Sequence, residues 1–253
     1  MKTTLTRTLA AAFVVAVSCA SAGADSAAPA DAPGPFRFSL HGGFVPGSPR
    51  FSGTRTFTEF AEQGRIESQY KEDPGPGFEA SLAWKFRRRL GVSAAVSFDR
   101  RREAGSFAAT LPHPLYFGVP RRTAGDFRGG TQRETAVHLD LAFLGGSGRL
   151  QWSAFAGPSL IGVKADLVQR VAYTQAYPFD TVTVTGTSFE RASGHAVGFN
   201  LGAGLDWQVA RHAAIGTQVR FSRATASLKP TADDRVDVHG GGAHVTAGLR
   251  LDF

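Results

Sequence analysis

The chain has one cysteine in 253 residues, Cys19, and it falls in an N-terminal stretch expected to be removed. A mature chain without cysteine has no disulfides and no thiolate metal sites, which suits an exported protein. Past that stretch, no apolar run approaches the ~18 residues of a membrane-spanning helix. Strands that alternate apolar and polar residues give the same low hydropathy. Charge of one sign is only mildly in excess, with 28 Lys+Arg against 21 Asp+Glu and a formal net charge of +7. The cations are scattered singly or in short runs such as Arg87-Arg88-Arg89, with no basic helix or RNA-binding signature, so nucleic acid is not an expected partner. The 7 histidines lack ligand-like spacing, so neither a metal nor a cofactor is expected. Glycine (30) and phenylalanine (20) are plentiful.

Residues 1–24 read as a cleaved secretory signal. Lys2 and Arg7 open it, Leu9 to Val17 is the apolar stretch, and Ala22-Gly23-Ala24 is a small-x-small cleavage site. The rival reading is a lipoprotein signal acylating Cys19, but Ala16 stands where such signals carry leucine. Residues 25–35 form a Pro/Ala linker without a strand or core pattern.

From residue 36 onward, side chains alternate with a period of two, the signature of two-faced strands. The last residues show it plainly: Val245, Ala247, Leu249, Leu251 and Phe253 on one face, His244, Thr246, Gly248, Arg250 and Asp252 on the other. About eight such strands of roughly ten residues are expected, the length a tilted strand needs to cross a bilayer. Their connections alternate short and long. Short turns are read at Arg87-Arg88-Arg89, Gly145 to Gly148 and Ala210 to His212. Long stretches are read at about 45–76, 101–133 and 166–193, with a shorter loop carrying Asp233-Asp234-Arg235. Residues 54–70 are expected to form an external hairpin turning at Gln63-Gly64. Gly157-Pro158 should bulge the fifth strand, and Gly240-Gly241-Gly242 should be a flexible strand entry.

This pattern, ending in Phe253, resembles the small eight-stranded outer-membrane β-barrels of Gram-negative bacteria, including the transmembrane domain of outer membrane protein A. The resemblance implies an all-β, antiparallel up-and-down transmembrane barrel over residues 36–253, located in the cell outer membrane. It also implies outer-membrane lipids and lipopolysaccharide as surroundings, barrel-assembly machinery and periplasmic chaperones as partners in biogenesis, and a monomer. In that family a terminal Phe serves as the assembly signal, here Phe253. Trp84, Phe86, Phe143, Trp152, Trp207 and Phe253 lie beside short turns on apolar faces, as a periplasmic aromatic belt would.

The opposite faces carry Arg37, His41, Glu79, Lys85, Asp99, Glu134, His138, Asp140, Asp206, Arg220, His244, Arg250 and Asp252. Eight strands leave a lumen just filled by side chains, so these groups are expected to form a paired charge network. The functional expectation is a non-enzymatic barrel serving outer-membrane structure, surface interaction through long loops, or limited small-solute permeation. The alternative is a lipid-modifying hydrolase of the lipid A deacylase or phospholipase type. Ser193 and His195 share a strand face and are its candidate nucleophile and base, with Glu190 the nearest acid.

Overall fold

In the computed structural model, residues 34–47, 51–228 and 236–253 are described. The expected signal, the linker up to residue 33 and Asp233-Asp234-Arg235 lie outside the described residues. The strands are β1 (Phe36–Val45), β2 (Phe51–Glu59), β3 (Glu62–Glu72), β4 (Gly75–Arg87), β5 (Leu90–Leu111), β6 (Arg121–Ser147), β7 (Leu150–Gln175), β8 (Val182–Ala210), β9 (Ala213–Leu228) and β10 (Val236–Asp252). Each of β4 to β10 pairs antiparallel with its sequence neighbour, and β1 pairs with both β4 and β10. Those eight strands therefore close a ring. Closure leaves no open edge, the condition for a sheet to stand in lipid. Phe36 and Phe253 exchange backbone hydrogen bonds at the seam, at 3.2 and 2.9 Å.

The strands are much longer than the ten residues expected; β6 has 27 residues and β8 has 29. The stretch 101–133 is mostly wall, because β5 runs to Leu111 and β6 starts at Arg121. β5 shows why it reads as loop. Val92, Val96 and Phe98 face outward while Ser97, Asp99, Arg101 and Glu103 face inward. From Arg100 onward the outward residues are polar, Arg100, Arg102 and Ser106, and from Phe107 the inward ones are apolar, Phe107, Ala109 and Leu111. Alternation persists but its chemistry inverts, since the outer surface passes from lipid to water. In β6 the extra residue Gly129, with φ 105°, bulges the strand opposite Glu103 and Ala104 and shifts the parity by one.

Other expectations need correction. The β2–β3 hairpin exists, and β3 extends the wall by pairing with β5, but it turns at Phe60-Ala61, both at positive φ. Gly64 instead makes room for the Phe57 ring, which a Cβ at 64 would strike. Gly157-Pro158 does not bulge the strand, since β7 keeps one register with β6 and β8 on both sides of it. The irregularities of β7 lie at Val168/Arg170 and Ala172/Tyr173. The turn expected at Gly145 to Gly148 falls after Ser147, with Gly148 at φ 58°. Gly240 to Gly242 lie within β10, and the positive φ of Gly241 and Gly242 is what requires glycine there.

Outside, the belt is continuous: Leu40, Leu82, Leu139, Leu141, Leu201, Leu205, Val219 and Leu249 are all exposed. Trp84, Phe86, Phe143, Trp152, Trp207 and Phe253 are exposed on the same surface next to the short turns. A second aromatic set, unread in the sequence, stands at the other end of the belt: Phe44, Phe78, Phe98, Phe199 and Phe221. The two sets bracket the apolar surface as interfacial girdles do.

The lumen as candidate functional site

Three polar layers stack inside the ring. Nearest the short turns, Arg37 Nε donates to Asp252 Oδ1 at 3.0 Å, and Arg250 binds Asp252 at 3.1 Å and Asp206. Gln151 accepts from both arginines, at 3.1 and 2.7 Å. Lys85 is half-buried on the inner face of β4.

The middle layer centres on Arg220. Its guanidinium holds Glu79 through Nε (3.0 Å) and Nη2 (2.9 Å), and Asp140 through Nη1 (2.9 Å). Asn200 accepts a further bond, Gln218 donates to Glu79 at 2.7 Å, and the Phe155 ring lies 4.5 Å from the guanidinium carbon. His138 is bridged by the hydroxyls of Ser97 (3.1 Å) and Ser159 (2.7 Å). His41 is buried, and among the described residues neither ring nitrogen has a partner. It lines a cavity of about 60 Å³ between the first two layers, with room for a few waters only.

The third layer lies at the outer end of the belt. Arg101 donates to Asp99 (2.8 Å), Glu134 (3.0 Å) and Glu72. Gly241 N donates to Glu134 at 2.8 Å. Asp99, Glu134 and His244 bring potential metal-ligand atoms within 4.8 Å of one another, a convergence the sequence spacing conceals. Arg101 already donates to both carboxylates, so the cation of this cluster is a guanidinium. All thirteen charged or imidazole side chains expected in the lumen thus project into it. Sequence reasoning missed Arg101, Glu72 and Glu103, although Asp99, Arg101 and Glu103 continue one parity. It missed them because residues 45–76 and 101–133 read as loops.

Just above Arg101 sits Glu103, buried, with both carboxylate oxygens lacking a partner among the described residues. Burial pushes its carboxyl up to about 8, the nearby Glu72 and Asp166 push in the same direction, and Arg101 opposes them. Beyond it the interior turns apolar. Phe51, Ile66, Tyr70, Phe107, Leu111, Phe127 and Leu167 pack into one core, and Phe51 stacks on Tyr70 at 4.5 Å.

The hydrolase candidates fare differently. Ser193 and His195 are exposed on the outward face of β8. Glu190 has the opposite parity, and its carboxylate binds Arg55 at 3.1 Å. The acid and the Ser/His pair therefore stand on opposite faces of the wall, so Glu190 does not orient His195.

The sequence matches no protein-family model, and no curated protein matches it. Among solved structures, the chain is similar to outer membrane protein OprG from Pseudomonas aeruginosa, with a TM-score of 0.52 at 13% identity over 87% of this chain and 97% of that one. The chain has the fold of a small outer-membrane β-barrel. That fold and the girdled apolar belt put the barrel in the outer membrane. It is also similar to Neisserial surface protein A, with a TM-score of 0.44 at 10% identity, covering 88% of this chain and 100% of that one. The outer membrane protease OmpT from Escherichia coli gives 0.42 at 10% identity over 87% and 97%.

Proposed function

We propose that the protein is a non-enzymatic, non-conducting barrel that acts through the outer surface of its wall rather than through its lumen. One observation carries this reading: side chains cross the interior at each level, and the cavity beside His41 between the first two layers is only about 60 Å³. Polar layers close it within the membrane, and the core of Phe51, Tyr70, Phe107 and Phe127 closes it beyond. Of the three roles expected from the sequence, permeation fits such an interior least. Structure and surface interaction fit best, because the packed extension is a rigid platform outside the membrane. A hydrolytic role would need an acid behind His195, and Glu190 faces the other way. Lipopolysaccharide around the barrel, assembly machinery and chaperones during biogenesis, and a monomeric state remain the partners and state this reading entails.

Planar-bilayer recording of the refolded protein tests it. The expected result is no steady conductance of general-porin size. A stable open channel of that size would overturn the reading, because neither the polar layers nor the apolar core leaves a path for one.

A further inference from the structure

Glu103 stands directly opposite Glu72 on β3 and Gly130 on β6, buried just above Arg101 and outside the lipid belt. The three nitrogens of the Arg101 guanidinium are each taken by another carboxylate: Nε by Asp99, Nη1 by Glu72 and Nη2 by Glu134. Glu103 is the fourth buried acid around this cation, and neither of its oxygens meets a donor among the described residues. A second group points to the same place. Gln132 is directly opposite Arg101, so on the inner face of β6 it stands between Gly130 and Glu134, diagonal to Glu103. It is fully buried, and neither its amide oxygen nor its amide nitrogen has a partner among the described residues. Buried polar groups are rarely left so, and here two adjoin.

The wall is open beside them. The β6–β7 ladder reaches up only to the pair Gln132 and Ala165, and above it the two strands are no longer paired. At that point the bulge at Gly129-Gly130 presents no side chain. Gly129 is exposed, with nothing within 4 Å of where its Cβ would stand. A Cβ on Gly130 would lie 3.0 Å from Glu103 Oε2 and 3.5 Å from the main-chain oxygen of Asp166 on β7. Oxygen-bearing groups of β5, β6 and β7 thus meet where the wall unzips, behind a gap that faces water.

We infer that Glu103, the amide oxygen of Gln132 and the main-chain oxygen of Asp166 hold a divalent cation of the calcium class, which clamps β5, β6 and β7 together at the base of the extension. Carboxylate, amide and main-chain oxygens are the donors calcium takes, with water completing its shell, whereas zinc prefers nitrogen and sulfur. The ion supplies the positive charge that Arg101 cannot extend to a fourth carboxylate. In the ion-free barrel the buried Glu103 carboxyl keeps its proton, and binding exchanges that proton for the cation.

The test uses the full barrel refolded in a maltoside detergent, which offers no phosphate to a cation, then stripped of metal with EDTA and exchanged into chelator-free buffer. Folding is checked by heat-modifiable migration. Calorimetric titration with calcium chloride should show one ion per chain, saturating below about 1 mM, the weak end of extracellular calcium sites. Glu103→Gln and, separately, Gln132→Met should each weaken binding roughly tenfold or more. Asp126→Asn removes an exposed acid from the outer face of β6 and should leave binding unchanged. Calcium should also slow tryptic cleavage of the extension at Arg122, Arg128 and Arg170 in the wild type but not in Glu103→Gln. No saturable binding in the wild type would overturn the inference whichever variants fold, and would leave water as the partner of Glu103 and Gln132. Binding unchanged in either variant, or equally weakened in Asp126→Asn, would overturn the assigned ligands. Binding without protection from trypsin would overturn the clamp, and magnesium chloride binding as tightly as calcium would overturn the choice of ion.

Discussion

Phe155 and Gly202 are direct partners across β7 and β8, and the Phe155 ring lies where a side chain at 202 would go: an added Cβ would come within 2.4 Å of it. This explains the one large apolar residue on the inner face at that level. The missing side chain of Gly202 makes room for the ring, and Arg220 covers it. Ala203, the next residue, faces lipid. Gly202→Leu should therefore cost at least ~1–3 kcal/mol by overpacking, whereas Ala203→Leu should stay within ~0.5 kcal/mol. Urea unfolding in lipid vesicles reads both. The opposite order would mean that β8 has been assigned the wrong inner face.

Charge separates the two faces as clearly as size. Ala203→Arg puts a cation in the lipid belt near mid-membrane, at a cost of ~2–4 kcal/mol. Arg220 is tolerated at a similar depth because Glu79 and Asp140 neutralise it inside the ring. An Ala203→Arg barrel that refolds with unchanged stability would argue that this surface does not meet lipid.

The Arg220 layer should behave as a unit. Arg220→Met leaves Glu79 and Asp140 buried without their cation, which should cost ~3–5 kcal/mol. Neutralising the acids in the same chain, as Glu79→Gln with Asp140→Asn, should recover most of the loss, because an uncompensated charge costs more than the pair contributes. Equilibrium unfolding of the single and triple variants decides this. A triple variant no more stable than Arg220→Met would show that packing against Phe155, not charge balance, dominates.

The transmembrane half of this architecture was legible in the sequence, and the half beyond it was not. The reason is the solvent on each side of the wall. Within lipid, outward Leu201 and Leu205 against inward Asn200 and Asp206 give high contrast. Above the membrane, inward Phe107 and Leu111 against outward Arg102 and Ser106 give the same contrast with the sign reversed, so the two patterns blur where they meet. Bulges such as that at Gly129 then shift the parity, which hides the continuation of β6. The hairpin turn was missed because Phe60-Ala61 carries no turn residue, while the Gly64 that suggested one only clears space for Phe57. In the site, the lumen charges could be listed but not their partners. Arg101 reaching Glu72 across the β3–β5 pairing, and His244 meeting Asp99 and Glu134, depend on strand neighbours that no linear spacing records.

Closure of the ring gives Phe253 a structural task beyond any role as a signal. Its backbone exchanges hydrogen bonds with Phe36, and Asp252 beside it anchors Arg37 and Arg250. Deleting Phe253 removes the last rung of the β1–β10 seam and one girdle ring. Assembled barrel, measured by heat-modifiable migration in outer-membrane fractions, should drop far more than total synthesised chain. Normal assembly of the truncated chain would show that the seam closes without its terminal rung.

Glu103 lies beyond the lipid belt, between outward-facing Arg102 and the apolar core, and its ionisation sets a pH dependence whose sign is definite. Its carboxyl titrates near 8 in the folded barrel, against 4.5 for an unperturbed glutamate. The native state therefore keeps a proton that the unfolded chain has released. The stability this contributes is complete below about pH 4.5 and is lost as pH rises through about 8. Burial is the main cause, and no donor among the described residues meets either oxygen, so the charged form has nothing to offset its desolvation. Glu103→Gln mimics the protonated state. Between pH 6 and 9 the wild type should lose more stability than Glu103→Gln, so the difference between the two proteins should grow with pH in the variant's favour. Parallel curves for the two proteins across that range would mean that Glu103 is ionised and compensated in the folded state.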